Sequence, residues 1–432
     1  MIAAVDAATA HPSGLDAAGL QAARTRIRRS LIAGVALGST GHIAAVTVAT
    51  IVAQDLLGTS ALAGAPGAAV VLGAAAGALS LSSLMARRGR RPGLVLGYLI
   101  GIAGALLAAL AVIIRSFPLL LPATFLIGFG NSSNQLSRYA AADLVPASKR
   151  ASAIGLVVWG STVGSVIGPT LVPIAGRAAS SIGLPALAGP YLLPVLFVGL
   201  AAILTFTMLR PDPHSIAEQS SIRQAGDPSA APLRRILRRP VVGAAIVALV
   251  VGQFTMVLIM TMTPLHMTQH GHGLEAVGLV LSAHTFGMFA LSPVSGRLTE
   301  RYGSVATIFV GTAVLIASAL LAAFAPADGG LVLGLALFLL GFGWNLGFVA
   351  GSAMLSAGLE LAERTRVQGL ADALIWTTAA IASLGSGVIL QTAGYTTLGL
   401  LGGGLVILPI WVLVARRSAI GIGGRVRVTP AD

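Results

Sequence analysis

Nine of the chain's sixteen methionine and histidine residues fall within residues 256–288, where even scatter would place about one. They are Met256, Met260, Met262, His266, Met267, His270, His272, His284 and Met288. Thioether sulfur and imidazole nitrogen suit a soft ion such as Cu(I), and with no cysteine in the chain no thiolate competes. Met256 and Met260 are four residues apart, as are His284 and Met288, so each pair shares one face of a helix. Met256, Met260, His284 and Met288 therefore read as metal ligands. Met262, His266, Met267, His270 and His272 read as an ion-collecting loop between them. The competing reading is plain: methionines pack in apolar helices, and loop histidines are simply solvated. No permanently bound cofactor is expected, and Cu(I) or Cu(II) would be passing cargo.

A second group consists of polar residues in apolar surroundings. Arg138 and Asp372 are ionisable within long apolar runs, where such groups are costly and usually functional. Asp372 is the candidate for proton coupling. Arg138 reads either as a gate residue paired with Asp143, close behind it in sequence, or as a substrate contact. His42, Asn131, Asn134 and Gln135 are candidates for lining a cavity. Other chemistries are excluded. The single lysine, Lys149, sits in no GxxxxGK[ST] phosphate loop, and there is no HExxH, no GxSxG and no pair of catalytic carboxylates. The chain is not expected to be an enzyme.

These residues need elements that hold them in lipid. Only 9% of the 432 residues are charged and 56% are hydrophobic, against about 25% charged in a soluble domain. A soluble core of this size could not be covered, so the expected architecture is all-α and integral to a membrane. At about 20 apolar residues per span, helices are predicted near 30–54, 62–85, 93–114, 117–142, 152–176, 188–209, 241–265, 275–298, 305–325, 329–353, 366–391 and 395–415. A polar stretch at 210–240 divides them six and six. The expected organisation is an N-terminal tail (1–29), a six-helix bundle (30–209), a central loop (210–240), a second bundle (241–415) and a C-terminal tail (416–432). The first apolar run is too long for a signal-peptide core and lacks a clean cleavage site.

Orientation follows from charge. With both termini inside, 24 of the 27 Lys and Arg lie in cytoplasmic segments, and only Arg115, Arg138 and Arg177 do not. The net charge of +13 is thus explained by topology, without nucleic acid. The partners expected are a bacterial-type inner membrane and a small cargo, with the chain acting as a monomer.

The halves repeat each other. Gly89 and Gly303, Arg150 and Arg364, and Gly155 and Gly369 are pairs separated by one identical offset of about half the chain. The two Gly-Phe-Gly triplets, at 128–130 and 341–343, fall a single position short of that offset. Two similar bundles suit alternating access, in which the halves rock about a central site. Ser82–Leu94 (SSLMARRGRRPGL) and Gly296–Ser304 (GRLTERYGS) resemble the two copies of the loop motif of the major facilitator superfamily. That resemblance implies two pseudo-symmetric six-helix bundles and a cytoplasmic gate at Arg87, Gly89, Arg90, Arg91, Gly296, Glu300, Arg301 and Gly303. Within it Glu300 and Arg301 form an acid–base pair, while Ala86 stands where the family has Asp and Ser82 where it has Gly.

The Met-x-x-x-Met of helix 7 and His-x-x-x-Met of helix 8 resemble those of the CcoA-like copper importers, a branch whose wider family also carries riboflavin. The resulting expectation is an importer of copper along a ladder of soft ligands. Gly160, Gly164, Gly168 and Pro169 resemble the motif of proton-coupled drug antiporters, although glycines at this spacing also simply let helices approach. An exporter or organic-cargo carrier, and a non-transporting sensor on the same fold, are the alternatives.

Overall fold

A computed structural model describes residues 17–58, 62, 64–216, 232–272, 274–326 and 329–416. The first six long helices are α1 (Ala17–Leu57), α2 (Ala65–Arg88), α3 (Arg90–Ile113), α4 (Phe117–Ala142), α5 (Arg150–Ser181) and α6 (Gly189–Met208). There follow α7 (Pro240–Met260), α8 in two pieces (Leu274–Phe289 and Ser292–Tyr302), α9 (Ser304–Ala323) and α10 (Gly330–Ala357). The last helical run reverses at Gly394, whose φ of 79° and ψ of 172° lie outside the helical region, giving α11 (361–393) and α12 (395–415). A glycine without Cβ takes that conformation without steric cost.

Ten of the helical stretches among the described residues are long and apolar enough to cross a membrane. One of them, Ala362–Ala415, holds both α11 and α12. α4 falls short in hydropathy because its second half carries Asn131, Ser132, Ser133, Asn134, Gln135, Ser137 and Arg138. Those polar groups are satisfied inside the bundle rather than in lipid. Ser132 donates to the Ala74 carbonyl of α2 at 2.8 Å, and Ser133 to the Leu94 carbonyl of α3 at 2.9 Å. α4 is therefore a crossing helix buried among its neighbours.

Two elements differ most from the sequence expectation. α1 begins at Ala17 rather than near residue 30. Leu20, Ala23, Ile27 and Leu31 recur at helical spacing and are all buried, so one apolar stripe carries the helix beyond the membrane-length segment. α8 is interrupted at 290–291, just ahead of Pro293 in the first turn of its second piece. A proline there lacks the N–H that a continuous helix requires.

The sequence repeat is also a repeat of contacts. A Cβ on Gly128 would fall 1.9 Å from the Val70 carbonyl, and one on Gly341 would fall 2.2 Å from the His284 carbonyl. Val70 and His284 are themselves a pair at the repeat offset. Gly130 abuts Gly101 on α3, as Gly343 abuts Gly311 on α9. The same small-residue contacts thus seat α4 on α2 and α3 in one half and α10 on α8 and α9 in the other. Gly160, Gly164 and Gly168 press α5 against α1, where added Cβ atoms would come within 2.8, 2.5 and 3.0 Å of α1 atoms. In lipid, such close backbone approach is how helices hold together.

Candidate functional site

A cavity of about 90 Å³ lies between the halves, walled by α1, α4 and α5 on one side and by α7, α8, α10 and α11 on the other. The first half contributes the polar side chains Asn134, Gln135, Arg138 and Ser161 beside Val35, Val157 and Val158. The second half contributes rings: Phe289, Trp344, Phe348 and Trp376, with Gln253 and Met288 between them. Trp344 stacks on Phe348 at 4.6 Å and meets Phe289 edge-on at 6.2 Å. Its indole N–H donates to Gln253 Oε1 at 2.8 Å, which fixes the ring's orientation.

Arg138 and Asp372 meet on the cavity wall. Their side chains are each 2% exposed and form an ion pair joining α4 to α11. The guanidinium also donates to the Tyr139 hydroxyl at 3.0 Å and lies over the rings of Tyr139 and Phe348, at 4.2 and 4.4 Å. Asp372 keeps Oδ2 buried without a hydrogen-bond partner. The expected Arg138–Asp143 pairing is therefore corrected: Asp143 lies past the end of α4 and is taken by other arginines. A buried carboxylate with one oxygen bare can accept a hydrogen bond from a bound molecule or a proton.

Near the Gly89 and Gly303 turns a layer of charge ties the halves together. Arg90 is fully buried; its Nε donates to Asp143 Oδ2 at 3.0 Å and its Nη2 to Gln368 Oε1 on α11 at 2.8 Å. Arg364 of α11 approaches Asp143 from the other side at 3.7 Å. Arg150 donates to the Ser356 carbonyl at 3.2 Å. Glu300 accepts the Ser152 backbone N–H at 3.1 Å and pairs with Lys149 at 3.6 Å, so it bridges to the first half rather than to Arg301. Arg301 instead rests over Tyr302, Arg87 is exposed, and Arg91 lies over Phe206. Gly89 and Gly303 turn with φ of 88° and 87°, and a Cβ on Gly296 would strike the Ala151 carbonyl at 2.8 Å. The halves are closed at this end.

The methionine and histidine residues are distributed differently from a single site. Met256 is buried in the second half's apolar core, Met260 is half-buried against that core, and Met288 alone of the four lines the central cavity. His284 is fully buried between α8 and α10; its Nδ1 lies 2.9 Å from the Leu337 carbonyl, and its Nε2 has no partner. In the connection after α7, His266 stacks on Tyr395 at 4.1 Å and touches His270 at 4.3 Å, while Met267 is fully buried and Met262 half-buried. His272 sits beside Gly330. Among the described residues, no three imidazole or carboxylate side chains gather into a metal-binding cluster.

His42 and Asn131 line a separate small void of about 10 Å³ between α1, α3, α4 and α6. Asn134 reaches both this void and the central cavity, accepting from the Tyr98 hydroxyl at 3.1 Å and donating to Asn131 Oδ1 at 3.0 Å. Sequence reasoning missed Gln253, Phe289, Trp344, Phe348 and Trp376. One signal was available: Trp344 follows the second Gly-Phe-Gly as Asn131 follows the first.

The Major Facilitator Superfamily model matches residues 30–346 and 272–423. The chain is 40% identical over 386 residues to an uncharacterized MFS-type transporter of Bacillus subtilis, YdeG, covering 88% of this chain and 89% of that one. It is 32% identical over 407 residues to the riboflavin transporter RfnT of Brucella anthropi, covering 92% and 98%. In fold it is similar to a bacterial homologue of the iron transporter ferroportin in an outward-facing state, with a TM-score of 0.68 at 16% identity, covering 91% of this chain and 99% of that one. The repeated helix contacts, the closed charged layer and the central cavity accord with those matches, and the chain belongs to the major facilitator superfamily.

Proposed function

We propose that this transporter carries a planar aromatic organic molecule of the flavin kind through the central cavity by alternating access. The observation that carries the reading is the wall of Phe289, Trp344, Phe348 and Trp376 facing Asn134, Gln135 and Arg138. Rings bind a flat aromatic face, and the amides and guanidinium suit hydroxyl and imide groups at its edge. The similarity to a riboflavin transporter supports the same cargo class. The reading places the arginine-rich end in the cytoplasm of a bacterial-type inner membrane. On this reading the Arg90–Asp143 layer closes the cytoplasmic side beneath the cargo. Trp344→Ala is expected to raise the KM for radiolabelled riboflavin about 30-fold, because a stacked ring is worth about 2 kcal/mol with its buried area. An unchanged KM would remove the aromatic wall from the site.

Copper transport is the second reading, and one observation favours it. His284 has Nδ1 held against a backbone carbonyl and Nε2 bare, the arrangement in which proteins present a histidine to a metal. Met288 follows one turn later on the cavity wall. Under this reading His284→Leu and Met288→Leu abolish uptake of radioactive copper while leaving the protein in the membrane. Copper uptake equal to an empty-vector control in the wild type excludes it.

A further inference from the structure

The geometry points to Asp212, in the segment that follows α6, as the residue that positions the gate arginine Arg90. Both of its carboxylate oxygens are engaged by the start of α3: Oδ1 accepts the Arg90 N–H at 3.0 Å and Oδ2 the Arg91 N–H at 2.8 Å. These are otherwise unpaired donors of the first helical turn, and the positive end of the helix dipole favours a carboxylate there. The contact is close enough that a Cβ on Gly89 would fall 2.7 Å from Asp212 Oδ2. Asp212 is in turn anchored by the His214 N–H, at 2.8 Å to Oδ1. Its neighbourhood is stapled twice more: Arg26 of α1 donates to the Arg210 carbonyl, and Arg91 and Arg210 both lie over the Phe206 ring, at 5.4 and 5.3 Å.

The backbone that Asp212 holds belongs to the side chain that spans the halves. Arg90 reaches from this anchored turn to Asp143 in its own half and Gln368 in the other. The internal repeat shows why an outside carboxylate matters here. At the repeat offset, Ala86 is the first-half counterpart of Glu300, and Ser152 is the counterpart of Arg366. Glu300 clasps the first half through the Ser152 N–H and Lys149. Ala86 has no carboxylate with which to make the corresponding clasp. Closure on that side rests on Arg90, with Arg364 approaching Asp143 from the second half, and Asp212 fixes where Arg90 starts. The beginning of the central segment is thereby a working part of the gate.

The test does not depend on which cargo is carried. The chain has no cysteine, so Arg88→Cys and Tyr302→Cys place two spin labels, one per half, at the closed end of the full-length protein in lipid nanodiscs. Wild-type protein should show mainly the short inter-label distance. Asp212→Ala should raise the ratio of open to closed populations about fivefold, the effect of losing a helix cap. Asp212→Asn keeps one acceptor oxygen and should shift the ratio less, in the same direction. Asp212→Glu should restore it. If Asp212→Ala does not reach the membrane, Asp212→Asn decides the matter. A distance distribution unchanged from wild type in a folded variant overturns the assignment.

Discussion

Arg138→Leu abolishes transport and leaves the protein markedly less stable. The substitution strands Asp372, 2% exposed and already lacking a partner for one oxygen. Removing one member of a buried pair costs about 3–5 kcal/mol because the remaining charge is uncompensated. Arg138 also holds together Tyr139, Phe348 and the α4–α11 junction, so the cavity wall loosens with it. The double variant Arg138→Leu/Asp372→Leu should recover most of the lost melting temperature, since no buried charge remains, without recovering flux. Melting curves of the solubilised proteins and flux in proteoliposomes check both halves of this statement. Wild-type flux in the single variant would show that the pair is only structural.

Gly155→Leu should wedge the closed end apart. A Cβ at this position would sit 2.4 Å from the Ser292 carbonyl of α8, and a backbone atom cannot rotate aside. The same holds for Gly369, its counterpart in the second half, where a Cβ would fall 2.7 Å from the Ala78 carbonyl and 2.3 Å from Ser82 Cβ. Both contacts lie between the halves, so a branched side chain acts as a wedge. We expect flux to fall at least about tenfold and the open state at this end to gain population by a similar factor. A cysteine at Ser356, buried beside Gln368, reports it. In Gly155→Leu that cysteine should be alkylated about tenfold faster by a reagent applied from the charged end. Unaltered labelling and flux would mean that this glycine is not at a closing surface.

The helices were legible because lipid demands long apolar runs. Even the reversal between α11 and α12 was marked by Gly394, placed between two such runs. The repeat was legible because close helix contacts require glycine, and glycines survive in register: Gly155 and Gly369 are seen in the structure doing the same job. The central site was less legible. Its aromatic wall comes from α8, α10 and α11, and Phe289, Trp344 and Trp376 form no local pattern along the chain. The dense Met and His cluster drew attention to the far end of α7 and the start of α8, whereas Met288 is its one member on the cavity wall among the four proposed ligands. Arg138 and Asp372 were each conspicuous, but nothing in sequence joins residues so far apart along the chain. Proximity along the chain suggested Asp143 instead, and the fold hands that carboxylate to Arg90 and Arg364. Asp212 carried no signal at all, since its partners are backbone N–H groups.

The most direct test of the proposed function is the entry of radiolabelled riboflavin into proteoliposomes containing the wild-type chain, measured beside protein-free liposomes and the Trp344→Ala variant. The wild type should show saturable uptake, accelerated when unlabelled riboflavin is preloaded inside, and the variant a KM raised about 30-fold. Wild-type uptake no faster than into protein-free liposomes, with or without preloading, would contradict it.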